Sequence, residues 1–281
     1  MTLAITTRLA RGRRPRWGGV IVASVVLAVL ILAAIIPGLF TPAEPLQTEI
    51  ANALLPPSFA HPFGTDQSGR DVFARVVYGT QHSLVIGFTA TLIALVAGLV
   101  IGTMSGIAPR GVDTVISRVI DVLMAFPEFL LALLIIAILG PGESSLIVAI
   151  AIASTPVYAR VSRVQTLVVR RSGYVRAAKI LGVPPLLTVV RHVVPNTLGP
   201  LLVMATIGFG TAIASAAGLS FLGLGPTPPT PEWGLILSEG RNFLGTAWWI
   251  AVFPGLAVTA TVISATVVGR RLLARRAGWA Q

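Results

Sequence analysis

The chain has 281 residues, of which 54% are hydrophobic and only 11% charged, with no cysteine and a formal net charge of +11. A soluble domain carries about 25% charged residues, so this composition describes one polytopic, all-α membrane unit, and the missing cysteines exclude a disulfide framework, thiol catalysis and a cysteine-held metal. The positive surplus suits either nucleic acid or an anionic membrane surface, and the placement of the charges decides between them.

Residues 1–16 form a basic tail with Arg8, Arg11, Arg13, Arg14 and Arg16. The apolar run 17–40 that follows exceeds a signal-peptide core of roughly 7–15 residues. It is long enough for a membrane helix, which needs about 20, and reads as a retained first span. Residues 41–81 are polar and Pro-rich and contain HPFGTDQSGRDVFARV at 61–76. Gly64, Gly69 and the aspartates suit turns, Asp71 onward suits a short amphipathic helix, and a structural role is the preferred reading of this stretch.

A second span covers 82–107, with Gly98, Gly102 and Gly106 four apart, a small-residue face where another backbone can approach. The third span, 114–139, holds the only acids inside a predicted span, Asp121 and Glu128, seven apart and so near one face of a helix. An acid at the centre of a span costs about 2.5–3.5 kcal/mol and usually faces a bundle interior or a water path, which makes both residues candidates for lining a transport pathway. Each also has a local explanation. Arg118, three residues before Asp121, is spaced to pair with it, and Glu128 follows Pro127 in the first turn after a kink.

Gly140-Pro141-Gly142 is a tight turn into a fourth span, 144–169, which becomes polar from Arg160 onward. Residues 170–195 then read as a helical hairpin. Its first helix is 174–181, Gly182 stands just past the helix end, and Pro184 and Pro185 cannot continue it. A second short helix covers 186–193. Pro195-Asn196 is expected to end it, with Asn196 as N-cap of a fifth span, 197–218. Val175, Ala178 and Leu181 make an apolar ridge beside Arg176 and Lys179. Such a hairpin is either a knob for a groove on a partner or an amphipathic loop lying on the membrane, and the residues alone fit both.

The fifth span carries a second small-residue ridge, Gly208, Ala212 and Ala216. Residues 220–245 contain too much Pro and Gly for a continuous helix, and Phe221, Leu222, Leu224, Trp233 and Leu235 suit a hydrophobic lid or a partner surface. A sixth span, 246–268, opens with Trp248 and Trp249 as an interfacial aromatic anchor, and a basic tail, 270–281, closes the chain with Arg270, Arg271, Arg275 and Arg276. With the N-terminus inside, Arg70, Arg75 and Arg241 are the only outer ones among the 21 Lys and Arg residues, whereas Glu44, Glu49, Asp66, Asp71, Glu143, Glu232 and Glu239 lie outside. The positive-inside rule thus predicts six spans with both termini cytoplasmic and accounts for the net charge without nucleic acid.

No phosphate-binding G-x-x-x-x-G-K-[ST] loop is present, and the only lysine, Lys179, follows Ala178. The chain is therefore not expected to hydrolyse ATP itself. His61, His82 and His192 are far apart in sequence, so no shared metal site is expected, and no catalytic triad or carboxylate pair stands out.

Four motifs resemble those of ABC-transporter permeases of the dipeptide/oligopeptide (peptide/nickel) importer family, second-permease type, over about residues 61–268. They are HPFGTD followed by GRD at 61–71; DVLMAFP at 121–127, which stops short of Glu128; Arg176-Ala177-Ala178, Gly182 and His192-Val193-Val194-Pro195-Asn196; and FLGLG followed by PPTPEWG at 221–234. The resemblance implies a type I ABC importer permease fold in the cytoplasmic (inner) membrane of a bacterium. It implies that the hairpin 170–195 couples to an ATPase subunit through Tyr174, Arg176, Ala177, Ala178, Gly182, His192, Pro195 and Asn196. It also implies that the outer loop 220–245 meets a binding protein near Phe221, Leu222, Trp233 and Glu239. The implied partners are a second permease subunit in a heterodimer, one or two ATPase subunits carrying ATP and Mg, an extracytoplasmic substrate-binding protein and lipid, with a short peptide as cargo and no cofactor in this chain. Two positions depart from the family pattern: Arg176 stands where it has Glu, and Gly269-Arg270-Arg271-Leu272 where it often has G-D-x-L-R-D. The alternative expectation is an ion-coupled secondary transporter using Asp121 and Glu128, although no internal repeat typical of that class is evident.

Overall fold

The structure, a computed structural model, describes residues 17–278 and the side chains of 18–274. The N-terminal tail 1–16 and the side chains of Arg275 and Arg276 lie outside them. Among the described residues there is no strand, only an isolated bridge between Thr65 and Asp71. The helices are α1 (Trp17–Ile35), α2 (Val72–Ile107), α3 (Arg110–Met124), α4 (Glu128–Leu139), α5 (Glu143–Val169), α6 (Gly173–Ile180), α7 (Pro185–Thr188), α8 (Val194–Phe221), α9 (Trp233–Gly240) and α10 (Trp249–Gly278). Five helical stretches are long and apolar enough to cross a membrane, and the pair α3–α4 makes a sixth if the two count as one bent span.

Helix α2 is the axis of the bundle and packs against α5 and α8, while α10 lies on α8 and α1 on α10. Glycine permits the closest of these approaches, because lipid gives no hydrophobic drive and helices must gain contact through proximity. A methyl group on Gly102 would stand 2.5 Å from Ser162 Cβ, and one on Gly106 would stand 2.5 Å from Thr166 Cγ2. One on Gly98 would collide with Tyr158. The small-residue face read from the sequence is thus the α2–α5 seam. Ala212 and Ala216 of the second ridge are buried with Ile86, Ala90, Ile136, Leu146 and Ile150 in the main apolar cluster, where α2, α4, α5 and α8 meet.

Beyond shifts such as α1 ending at Ile35 where the span was read to 40 and α10 beginning at Trp249 where it was read from 246, three features differ from the sequence reading. The second span does not begin at 82. Asp71 caps a helix by accepting from the Ala74 amide at 2.8 Å, and that helix continues for 36 residues, about 54 Å against a hydrocarbon core of about 30 Å. The expected short amphipathic helix is therefore the projecting start of α2. The third span is not one rod: α3 and α4 meet at 93°. Pro127 lacks an amide and pushes the residue before it away from helical geometry, which ends α3 and starts α4 in a new direction.

Pro195-Asn196 does not break the chain between hairpin and fifth span. Helix runs from Pro185 to Phe221 through one wide π turn, Val189–Val193, closed by the Val194 amide on Val189 O. That extra residue places Pro195 in the first turn of α8, where its missing donor costs little. Asn196 is not an N-cap; its Nδ2 donates to His192 O at 2.8 Å, one turn back.

Candidate functional sites

One end of the bundle carries the hairpin. The Arg170 guanidinium at the end of α5 donates to Gly106 O at the end of α2 and so fixes where the hairpin departs. Helix α6 ends in a Schellman motif, with the Val183 amide on Ala178 O and the Gly182 amide on Lys179 O, both at 3.1 Å. Gly182 has φ +78° with open space where a Cβ would point, so glycine is required by conformation and not by crowding.

Val175 and Ala178 are buried and anchor α6 to the rest of the chain. Ala178 is therefore not available to a partner in this arrangement. Tyr174, Arg176 and Ala177 are exposed, His192 is half-buried in the π turn, and Pro195 and Asn196 are exposed on the first turn of α8. The most exposed apolar side chains of the hairpin are at the tip: Ile180 is 86% exposed, Leu181 82% and Leu186 77%. The sequence ridge of Val175, Ala178 and Leu181 thus splits into an anchor and a tip. The signal that would have found the tip was the set of large apolar residues on both sides of the Gly182 turn.

In the bundle, the acids of α3 and α4 are all held by α5. Asp121 pairs with Arg160 and not with Arg118, because the turn of α3 aims it across the α3–α5 contact. Ser154 Oγ donates to Glu128 Oε1 at 2.5 Å. Asp113, which sequence reasoning passed over, takes Arg163 in a two-pronged pair at 2.6 and 2.7 Å and also accepts from Ser105 Oγ at 2.6 Å. Arg160 and Arg163, three apart on α5, were the available signal. The 93° bend puts Asp121 and Glu128 on different helices, so their seven-residue spacing no longer makes one face. Both nevertheless remain exposed.

The opposite end is closed by a cap joining residues 61–76 to residues 231–249. Asp66 Oδ2 accepts from Arg70 Nε and from Arg75 Nη1, each at 2.6 Å, and Arg75 Nη1 also reaches Glu239 Oε2 at 2.7 Å. Arg75 and Asp66 have no exposed side-chain surface. His61 Nδ1 lies 2.8 Å from Asp71 Oδ2. Trp249 Nε1 donates to Thr65 O at 3.0 Å, and Trp233 Nε1 donates to Val76 O at 2.9 Å. Glu232 caps α9, accepting from the Gly234 and Leu235 amides at 2.9 Å and from Ser83 Oγ at 3.1 Å. Burial pushes the Glu232 carboxyl above its usual range, against the hydrogen bonds that hold it down.

The cap revises the outer-mouth expectations. Trp233 is wholly buried and Glu239 turns inward to Arg75, so in this arrangement neither offers a surface to a docking protein. Phe221, under the Arg241 guanidinium at 5.8 Å, and Leu222 do remain exposed. Trp249 is buried in the cap, which leaves Trp248 as the only exposed ring of the expected aromatic anchor.

Residues 94–277 match the model of the binding-protein-dependent transport system inner membrane component family. The chain is 42% identical over 249 residues, 89% of its own length and 82% of the relative's, to the dipeptide transport system permease protein DppC of Alkalihalophilus pseudofirmus. It is 38% identical over 265 residues, 92% of this chain and 89% of the relative, to the probable D,D-dipeptide transport system permease protein DdpC of Escherichia coli strain K12. Among solved structures, an inward-facing form of the MetNI methionine ABC transporter shares the fold with a TM-score of 0.57 at 21% identity, over 71% of this chain and 95% of the other. An all-helical bundle with a helical hairpin at one end and a welded loop cap at the other, matched by family and by fold, establishes that this chain belongs to the binding-protein-dependent transport system inner membrane component family, as a DppC-like permease of the ABC transporters.

Proposed function

We propose that this chain forms half of the translocation pathway of an ATP-driven bacterial importer of short peptides, paired with a second, different permease chain. The hairpin faces the cytoplasm with both termini and docks on one of one or two ATPase subunits, which carry the ATP and Mg. The loop cap faces outward and receives cargo from a substrate-binding protein, with Phe221 and Leu222 as the exposed contacts. The observation that carries this reading is the hairpin tip: three large apolar side chains, Ile180, Leu181 and Leu186, held out on a rigid glycine-capped turn. Closure of the ATPases would pull on that tip, and because α7 continues into α8 without a break, the pull passes directly into a membrane helix.

Asp121 and Glu128 border the pathway. The Arg160 pairing argues against Asp121 as the proton or sodium carrier of a gradient-driven transporter, since the carboxylate already has a guanidinium partner within the chain. The peptide cargo is inferred from the relatives, which are permeases of dipeptide and D,D-dipeptide transport systems.

The test is uptake of labelled dipeptides by proteoliposomes holding the whole complex, with ATP on the hairpin side or with only a proton or sodium gradient. Uptake that requires ATP and fails with Gly182→Val in this chain is the expected result. Gradient-driven uptake by this chain alone would overturn the reading.

A further inference from the structure

We infer that the hairpin docks into an acidic cleft on its ATPase partner, where carboxylates meet Arg176 and Lys179. This rests on the coupling reading above and adds to it the charge of the partner.

No Asp or Glu occurs between residues 144 and 231. Within that stretch Arg160 and Arg163 are answered by Asp121 and Asp113 across the α3–α5 contact, and Arg170 is held by Gly106 O. Arg171, Arg176, Lys179 and Arg191 are exposed and have no ion pair among the described residues. They belong to the same stretch of chain as the apolar tip of Ile180, Leu181 and Leu186, and Arg171 also lines an open depression with Val164, Leu167 and Val168. An apolar centre with a charged rim is how protein interfaces are built.

A membrane-lying helix would instead show a long apolar face between its cations. In α6 that face, Val175 and Ala178, is turned inward, and the most exposed apolar side chains of the hairpin are those of the tip, Ile180, Leu181 and Leu186. Seating such a tip in a protein groove strips water from the surrounding cations, which is unfavourable unless opposite charges replace it. A neutral or basic groove would leave like charges crowded and unanswered, so the groove that accepts this hairpin carries acids.

The experiment uses the complete complex with its own ATPase subunits, tagged on the permease chain, and reads the fraction of ATPase retained. It compares the unmodified chain, R176E/K179E, R176Q/K179Q and L181S/L186S at about 0.1 M and about 1 M salt, where the Debye length falls from about 10 Å to about 3 Å. The expected result is loss of retention by about tenfold or more in R176E/K179E at the lower salt, a smaller loss in R176Q/K179Q, and weaker binding of the unmodified chain at the higher salt. A lysine replacing one acid of the partner's cleft should then restore retention of the charge-swapped chain. If R176E/K179E retains the ATPase as well as the unmodified chain does while L181S/L186S releases it, the coupling reading stands and the acidic cleft is wrong. Full retention by L181S/L186S as well would remove the coupling reading itself. If the charge swap lowers only binding to phosphatidylglycerol vesicles, the cations serve the membrane surface and the inference fails.

Discussion

Replacing Arg75 by methionine tests whether the loop cap is held together by charge. Arg75 lies wholly inside the protein, and its single Nη1 bridges Asp66 at 2.6 Å and Glu239 at 2.7 Å. Methionine approximates the aliphatic stem, so packing is largely kept while one positive charge vanishes. Two carboxylates then share the remaining Arg70, which reaches Glu239 only at 3.5 Å. Removing one partner of a buried pair costs about 3–5 kcal/mol, because the other charge is left in a low-dielectric interior. At roughly 2–4 °C per kcal/mol, thermal inactivation of the purified complex should fall by about 6–20 °C. The double variant R75M/E239Q removes the orphaned negative charge while Asp66 keeps Arg70, and it should recover more than half of that loss. The assay is retention of a monodisperse complex in size-exclusion chromatography after heating. A drop below about 2 °C for R75M, or no recovery in the double variant, would refute the argument that charge balance holds the cap.

Gly102→Val should destabilise the α2–α5 seam by about 1–3 kcal/mol, since the first added carbon already meets Ser162 Cβ at 2.5 Å. Gly111→Ala, where no atom lies within 4 Å of an added Cβ, serves as the control, and the same heating assay should separate the two. Glu232 gives a pH prediction. Its folded-state pKa is raised above the ordinary 4.5, so the folded chain holds the proton more tightly than the unfolded one. That contribution to stability is fully present below the ordinary pKa and is lost as pH rises through the folded value. The stability of E232Q relative to the unmodified protein should therefore rise as pH increases above 4.5. A relative stability of E232Q that stays constant, or falls, as pH rises contradicts the burial argument.

Much of the fold was legible because it depends on residues close together in the chain. Apolar runs of about 20 residues set the spans, since a membrane core has a fixed thickness. Gly182 marked the hairpin turn, since a left-handed residue at a helix end needs glycine. Gly98, Gly102 and Gly106 marked a close helix contact, since their four-residue spacing puts them on one face.

Tertiary structure alone decided what joins what. The spacing of Asp121 and Arg118 suggested a local pair, but α5 offers Arg160, 39 residues away, once α3 crosses it. Pro127 announced a kink but not its size: α3 and α4 meet at 93°, with α4 packed in one cluster with α5 and α8. Trp233 and Glu239 looked like partner surface because nothing local shows that the start of α2 supplies Val76 O to the Trp233 indole, 157 residues away, and Arg75 to the Glu239 carboxylate, 164 residues away. Helix, turn and span are settled by backbone geometry and transfer free energy over a few neighbouring residues. The pairing of buried charges, and the side of a hairpin left exposed, depend on which distant helices arrive to cover them.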